Sequence, residues 1–293
     1  MNKVENVYIV GSGYMGSGIA QVSAAAGYKV KLYDVSAEKS QKAIDNISFW
    51  LNKKVEKNKM TLEEKDAIMA KLSTSTNLKD ASEADLVIEA VFEKKELKQE
   101  ILSKVSKYTK DNSIIATNTS SISITSLGTA VQKPENFIGM HFFSPVPAMK
   151  LLEVIPGLYT SGETLETAKQ IGESLGKVVI TAKDTPGFIV NRLLDPMANE
   201  ACFLIEEGVS PEDIDKGMRY GLNHPMGICE LMDEAGFDTL LDVMNVFIEA
   251  TGDQKYRPAP LLKKVVETGR CGRKSGAGWY DYDKDGNRIP RKW

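Results

Sequence analysis

The sequence predicts an α/β protein, built as a doubly wound, mostly parallel sheet with an inserted helical pair and followed by an all-helical C-terminal domain. Three observations predict it. Short apolar, β-branched runs alternate with helical periodicity from about residue 7 to residue 180. A glycine-rich turn, Gly11-Ser12-Gly13-Tyr14-Met15-Gly16, joins the first of those runs to the first helix. After Pro186 no strand-like run recurs until the last residues.

Val7-Tyr8-Ile9-Val10 reads as a buried strand, Ile19, Val22 and Ala26 recur at helical spacing, and Gly27 closes that helix. Tyr28-Lys29-Val30-Lys31-Leu32-Tyr33 is the next strand, with Asp34 at its end. A GxGxxG alone is weak, but strand, glycines, helix, strand and an acid about 20 residues on form the whole Rossmann-type dinucleotide context. Gly11 permits the tight turn, Gly13 lets backbone approach a pyrophosphate at the helix N-terminus, and Gly16 lets helix and strand pack closely. The Asp34 carboxylate suits ribose hydroxyls and repels a 2′-phosphate, so the expected cofactor is NAD and not NADP.

From Asp34 to Asp85-Leu86-Val87-Ile88 the interval is too long for one crossover helix. Ser36 caps a helix to about residue 57, and Thr61-Leu62-Glu63-Glu64 is a capping box opening a second, to about residue 72. This antiparallel pair is expected to project from the fold, with Lys53, Lys54, Lys57 and Lys59 near its tip. Such a cluster is ordinarily a solvated helix end, and its functional reading is a clamp on phosphates. Further strands are expected at 86–91, 113–117, 137–143, 151–155 and 177–180, with helices at 94–108 and 164–175. Glu93 and the cluster Asn118-Thr119-Ser120-Ser121 fall at strand C-termini, where doubly wound sheets bind ligands. Beyond Asp184-Thr185-Pro186-Gly187, helices are expected at 188–206, bent at Pro196, from Ser210-Pro211, through Leu240 to Phe247, and from Pro260 to about 268. The domains are therefore placed at 1–185 and 186–293.

Composition excludes several classes. With 293 residues, 37 Lys plus Arg, 40 Asp plus Glu and a net charge of −3, nothing points to nucleic acid or an anionic membrane. No apolar run is long enough to span a bilayer, and the first strand begins within a few residues of Met1, which reads as no signal peptide. Cys202, Cys229 and Cys271 are widely spaced and fit a reducing cytoplasm. His141 and His224 are the only histidines, so no histidine-rich metal site is expected.

Oxidising an alcohol by hydride loss needs a base for the hydroxyl proton, and histidine titrates near neutrality at ~6.5. If the chain reverses about Pro147, His141 and Glu153 become cross-strand partners, and the carboxylate fixes the imidazole tautomer. Taken singly, His141 could be filler between aromatic residues and Glu153 a polar edge position; the pairing argues against both. His224, in a loop without a carboxylate partner, reads as structural.

These residues resemble the L-3-hydroxyacyl-CoA dehydrogenase family, especially its bacterial 3-hydroxybutyryl-CoA members, over nearly the whole chain. The resemblance rests on Gly11-Ser12-Gly13-Tyr14-Met15-Gly16, Asn118-Thr119-Ser120-Ser121, His141-Phe142-Phe143 with Pro145, and Lys150-Leu151-Leu152-Glu153-Val154. Asp184-Thr185-Pro186-Gly187-Phe188-Ile189-Val190-Asn191-Arg192 and Gly272-Arg273-Lys274-Ser275-Gly276 match as well. It implies a catalytic His141–Glu153 dyad, Ser120 bonding the reacting oxygen and Asn191 in the substrate site. It implies cofactor contacts at Tyr14, Met15, Glu93, Lys98, Asn118, Ser120, Ser144 and Lys274. It also implies an acyl-CoA substrate whose nucleotide lies under the helical pair, with Lys53 and Lys57 chosen as its phosphate contacts, and a homodimer through the helical domain. Apolar stripes containing Leu240, Val243, Met244 and Phe247 fit that dimer. Ser144 departs from the family's asparagine, and Ile228-Cys229-Glu230 from Pro-Leu-Glu or Pro-Phe-Glu, which bears on acyl specificity. The competing readings are a same-fold dehydrogenase of a free hydroxy acid, which would not need the lysine arm, and a non-catalytic NAD sensor, which would have no use for the dyad.

Overall fold

The structure is a computed structural model that describes residues 4–289. The chain divides into two compact units, with the division between Phe188 and Ile189.

The first unit is an eight-stranded sheet. Its elements in order are β1 Asn6–Val10, α1 Tyr14–Ala25, β2 Lys29–Tyr33, α2 Ala37–Glu56, α3 Leu62–Met69, β3 Leu72–Ser75, β4 Leu86–Glu89, α4 Lys95–Val105, β5 Ile114–Thr117, α5 Ile124–Gly128, β6 Phe137–Phe142, β7 Leu151–Pro156, α6 Gly162–Ser174 and β8 Val178–Thr181. The strand order β3-β2-β1-β4-β5-β6-β7-β8 reverses direction of travel beside β1, which opens a crevice between the carboxyl ends of β1 and β4. Only β6 and β7 pair antiparallel; every other neighbour pair is parallel. Alternating residues of β1 enter opposite faces of the sheet. Val7 and Ile9 join Ile19, Ile47, Ile88 and Val154 on one side, while Tyr8 and Val10 join Leu102, Leu127, Phe137 and Ile155 on the other.

The caps fall where side-chain chemistry requires. Ser36 accepts from Lys39 N at the start of α2, and Thr61 and Glu64 exchange both bonds of a capping box at α3. Two expectations need correction. The second helix stops at Met69, and Leu72–Ser75 is a strand paired parallel with β2. Leu-Ser-Thr-Ser has one apolar residue and no alternation, so only the backbone hydrogen bonds offered by β2 make it a strand. The helical pair also does not stand free of the sheet: it connects β2 to β3, and Ala43, Ile47 and Leu51 of α2 are buried in the core formed with α1. The short helix α5 has no sequence periodicity to announce it. Ser123 caps it locally, and Asp184, some sixty residues on, accepts from Ile124 N and Thr125 N.

The second unit comprises α7 Val190–Glu206, α8 Pro211–Lys216, a π-turn at Gly217–Gly221, α9 Ile228–Ala235, α10 Phe237–Thr251 and α11 Pro260–Glu267. It is helical except for a two-stranded hairpin, β9 Asp281–Tyr282 and β10 Arg288–Ile289. The stripe offered above for a second copy has a different use: Leu240, Met244 and Phe247 are buried in this unit's own core, with Val243 packed against it. The fully buried Asp233 pins the tail, accepting from Trp279 N at 2.7 Å, Tyr280 N at 3.0 Å and the Tyr282 hydroxyl at 2.9 Å. A Cβ on Gly278 would lie 2.1 Å from the Asp233 carboxylate, and one on Gly272 2.3 Å from its carbonyl oxygen. The close approach accounts for Gly272 of the C-terminal motif, and a φ of +76° for Gly276. Among the described residues no helix is long and apolar enough to cross a membrane.

Candidate active site

The parallel strands β1, β2, β4 and β5 end on one edge of the first unit. β1 runs into Gly11, whose φ of +109° is closed to most side chains and whose Cβ would meet Ala90 O at 2.7 Å. A Cβ on Gly16 would stand 1.8 Å from Gly11 O, so turn and helix touch here. Gly13 differs. It is the N-cap of α1, and among the described residues no atom beyond its own chain neighbours lies within 4 Å of where its Cβ would be. Open space in front of unpaired helix N–H groups is what a pyrophosphate requires. Asp34, at the end of β2, accepts from the Ser12 hydroxyl at 2.7 Å, Ser12 N at 3.3 Å and Ser36 N at 3.1 Å. Partial burial raises its pKa, but these hydrogen bonds outweigh it and hold the carboxyl below its ordinary range. The group is therefore an anion at neutral pH, with lone pairs left for ribose hydroxyls. These features fit NAD.

Glu93, just beyond β4, ties that strand end to the loop after β5. One of its oxygens accepts from Thr119 Oγ1, Ser120 N (2.9 Å) and Ser121 N (3.2 Å), and Lys98 Nζ lies 3.2 Å from the other. Burial raises the Glu93 pKa, and Lys98 with the loop donors brings it below the usual carboxylate value. Lys98 is itself buried, with Nζ 2.8 Å from Glu89, so it reaches the cofactor edge through Glu93. Glu89 was not among the expected site residues. It is fully buried at the end of β4, where it also accepts from Val91 N and the Thr117 hydroxyl. An acid closing the otherwise apolar run Leu-Val-Ile-Glu is the signal that could have found it.

The next strand pair carries the dyad. β6 and β7 pair antiparallel in the register that sets His141 opposite Glu153. The His141 Nδ1 to Glu153 Oε2 distance is 2.7 Å, with the histidine 7% and the glutamate 0% exposed. The carboxylate accepts a hydrogen bond from Nδ1–H, which leaves Nε2 outside this contact. Asn118 Oδ1 accepts from Phe142 N at 2.9 Å, so the loop bearing Ser120 is bonded to the strand bearing His141. The imidazole lies between Phe143, ring centroid 4.6 Å away, and Phe188, 5.6 Å away. Ser144 follows as an exposed residue joined to Pro145 by a cis peptide bond.

The remaining expected residues are on other elements. Lys53, on α2, pairs with Glu56 at 3.0 Å and sits over the Phe49 ring, and Lys57 is exposed at the helix end. Asn191 and Lys274 belong to the second unit, where Asn191 is in the first turn of α7 and Lys274 pairs with Asp238 at 2.6 Å. His224 is exposed, its backbone N–H donating to Met218 O.

The profile of the 3-hydroxyacyl-CoA dehydrogenase NAD binding domain matches residues 6–185, and that of the same family's C-terminal domain matches residues 187–282. The chain belongs to the 3-hydroxyacyl-CoA dehydrogenase family. It is 45% identical to a 3-hydroxybutyryl-CoA dehydrogenase of Bradyrhizobium diazoefficiens, over 95% of this chain and 96% of the relative. It is 42% identical to the 3-hydroxybutyryl-CoA dehydrogenase of Clostridioides difficile, over 94% and 99%. The crystal structure of (S)-3-hydroxybutyryl-CoA dehydrogenase from Ralstonia eutropha superposes with a TM-score of 0.94 at 45% identity, covering 96% of this chain and 100% of that one. As a member of this family the protein is an NAD-dependent oxidoreductase, and its first unit is the NAD-binding domain.

Proposed function

We propose that the protein interconverts short-chain (S)-3-hydroxyacyl-CoA and 3-oxoacyl-CoA, with 3-hydroxybutyryl-CoA and acetoacetyl-CoA as the pair it handles, and that His141 and Glu153 move the proton. The observation that carries this reading is the buried 2.7 Å contact between His141 and Glu153, with His141 on the strand next to the one that ends in the Ser120 loop. Relatives at 42–45% identity bear the 3-hydroxybutyryl-CoA name. NAD, when bound, takes up or supplies the hydride at C3. In the reducing direction His141 Nε2 gives a proton to the oxygen on C3, Glu153 keeps Nδ1–H engaged, and the Ser120 hydroxyl bonds the same oxygen. Asn191 contributes to the substrate side, and Ser144, Asn118, Glu93, Lys98 and Lys274 to the cofactor side.

Steady-state kinetics test both halves of this reading. Acetoacetyl-CoA with NADH should be far the best combination. An equal kcat/KM with NADPH would refute the role of Asp34, because the 2′-phosphate would face a carboxylate. Equal turnover of free acetoacetate would make the enzyme a hydroxy-acid dehydrogenase.

Lys53 and Lys57 are the proposed CoA phosphate contacts. Exposed ion pairs contribute ~0.2–1 kcal/mol each. Changing both residues to alanine should therefore raise KM for acetoacetyl-CoA several-fold at low salt and leave kcat nearly intact, with a smaller effect at high salt. An unchanged KM at low salt would return the lysines to an ordinary solvated helix end.

A homodimer through the second unit is also proposed. That unit exposes Leu193 (71%), Tyr220 (86%) and Leu222 (61%), apolar side chains available to a second copy. Light scattering at micromolar concentration should give twice the 32.2 kDa chain mass, and an active monomer would refute it.

A further inference from the structure

Among the described residues, three that are not glycine have positive φ: Asn58, Asn223 and Phe188. Asparagine visits this region readily, whereas a bulky aromatic does so only where its surroundings over-determine it. Phe188, at φ +48°, is the last residue of the first unit and 4% exposed. The segment before it is held firmly. The Asp184 carboxylate accepts from the Ser123 hydroxyl at 2.9 Å and from Ile124 N and Thr125 N at 2.8 Å each. Gly187 is also left-handed, and Phe188 N donates to Thr185 O at 3.0 Å. The turn delivers the Phe188 ring to the imidazole of His141, 5.6 Å between centroids at an interplanar angle of 59°.

We infer that Phe188 is a positioning residue for His141, holding the plane of the imidazole so that Nε2 keeps one direction. This rests on the acid–base role proposed for His141. The Nδ1 hydrogen bond to Glu153, with the covalent bond at Cγ, fixes one edge of the ring and leaves the tilt of its plane to the neighbouring side chains. Phe143 limits that tilt from just past the end of β6, two residues along the chain, at 4.6 Å. Phe188 supplies the second wall from a different part of the chain. A core phenylalanine with no other task would not need a left-handed backbone. Here that backbone turns the ring onto the catalytic side chain, and Asp184 bonds the same segment to the helix that follows the Ser120 loop.

A double-mutant cycle tests this in the full-length protein. Phe188→Leu keeps an apolar side chain under the same backbone constraint but lacks the flat ring. It should lower kcat for acetoacetyl-CoA about tenfold and leave the NADH dissociation constant, followed by NADH fluorescence, within about twofold. In a His141→Gln background the same change should cost no further activity, because the ring it positions is gone. Losses that add in the double variant, or a parallel loss of NADH affinity, would show a purely structural role and overturn the inference, as would parent-like turnover by Phe188→Leu. Parent-like turnover by His141→Gln alone would instead sink the acid–base reading and the inference with it. Should Phe188→Leu fail to fold, Phe188→Met provides the same comparison.

Discussion

Replacing His141 by glutamine should lower kcat for acetoacetyl-CoA reduction by about 10²–10⁴-fold, equivalent to roughly 3–5 kcal/mol of barrier. Glutamine keeps a polar group of similar reach but cannot deliver a proton. The nucleotide edge built by Gly13, Asp34 and Glu93 lies on other strands, so NADH affinity should hardly change. Glu153→Gln should act in the same direction. Its carboxylate is buried against Nδ1, and an amide cannot stabilise the imidazolium. The two losses should not add, because each disables one unit. A His141→Gln enzyme that folds, binds NADH and turns over within a few-fold of the parent would show that the proton comes from elsewhere.

Replacing Asp195 by asparagine should stabilise the protein at pH 8 and do so by less than half as much at pH 5. Asp195 lies in α7 ahead of Pro196, and its buried Oδ2 has no hydrogen-bond partner among the described residues. Burial pushes the carboxyl from 3.8 up to about 7. The sign follows from linkage. Between pH 4 and 7 the folded protein holds a proton that the unfolded chain has released, so stability falls as pH rises through that window and stays lower above it. At about 1.36 kcal/mol for each pKa unit the penalty at pH 8 is of the order of 4 kcal/mol, and roughly 2–4 kcal/mol once the partly exposed side chain is allowed for. Asparagine carries no charge to desolvate, so denaturant melts of parent and variant should diverge most at pH 8 and by less than half as much at pH 5. An equal difference at both pH values would show that the charge of Asp195 is not what burial opposes.

Both predictions draw on features that differ in how far the sequence discloses them. Apart from β3 and α5, the order of strands and helices up to residue 180 is legible because the elements carry their own signals: β-branched runs for β1, β4 and β5, a capping serine for α2, a capping box for α3. The nucleotide turn is equally local, since the close approach of Gly16 to Gly11 and the open space before Gly13 arise within six residues. The His141–Glu153 register was readable because a hairpin reversing about Pro147 sets its own pairing.

Everything else had to wait for the chain to meet itself at long range. Leu72–Ser75 is a strand only because β2 offers it hydrogen bonds, and α5 is held by a carboxylate some sixty residues away. The stripe of Leu240, Met244 and Phe247 is equally suited to a partner or to a core, and packing assigned it to the core. Glu89, Asp195 and Phe188 are ordinary letters in the sequence. What makes the first a buried hub, the second an unsatisfied acid and the third a wall of the imidazole is the company that tertiary structure brings them. Periodicity and capping are short-range and are written in neighbouring residues. Desolvation, long-range hydrogen bonds and ring contacts depend on which distant residues are brought together, and only the tertiary structure decides that.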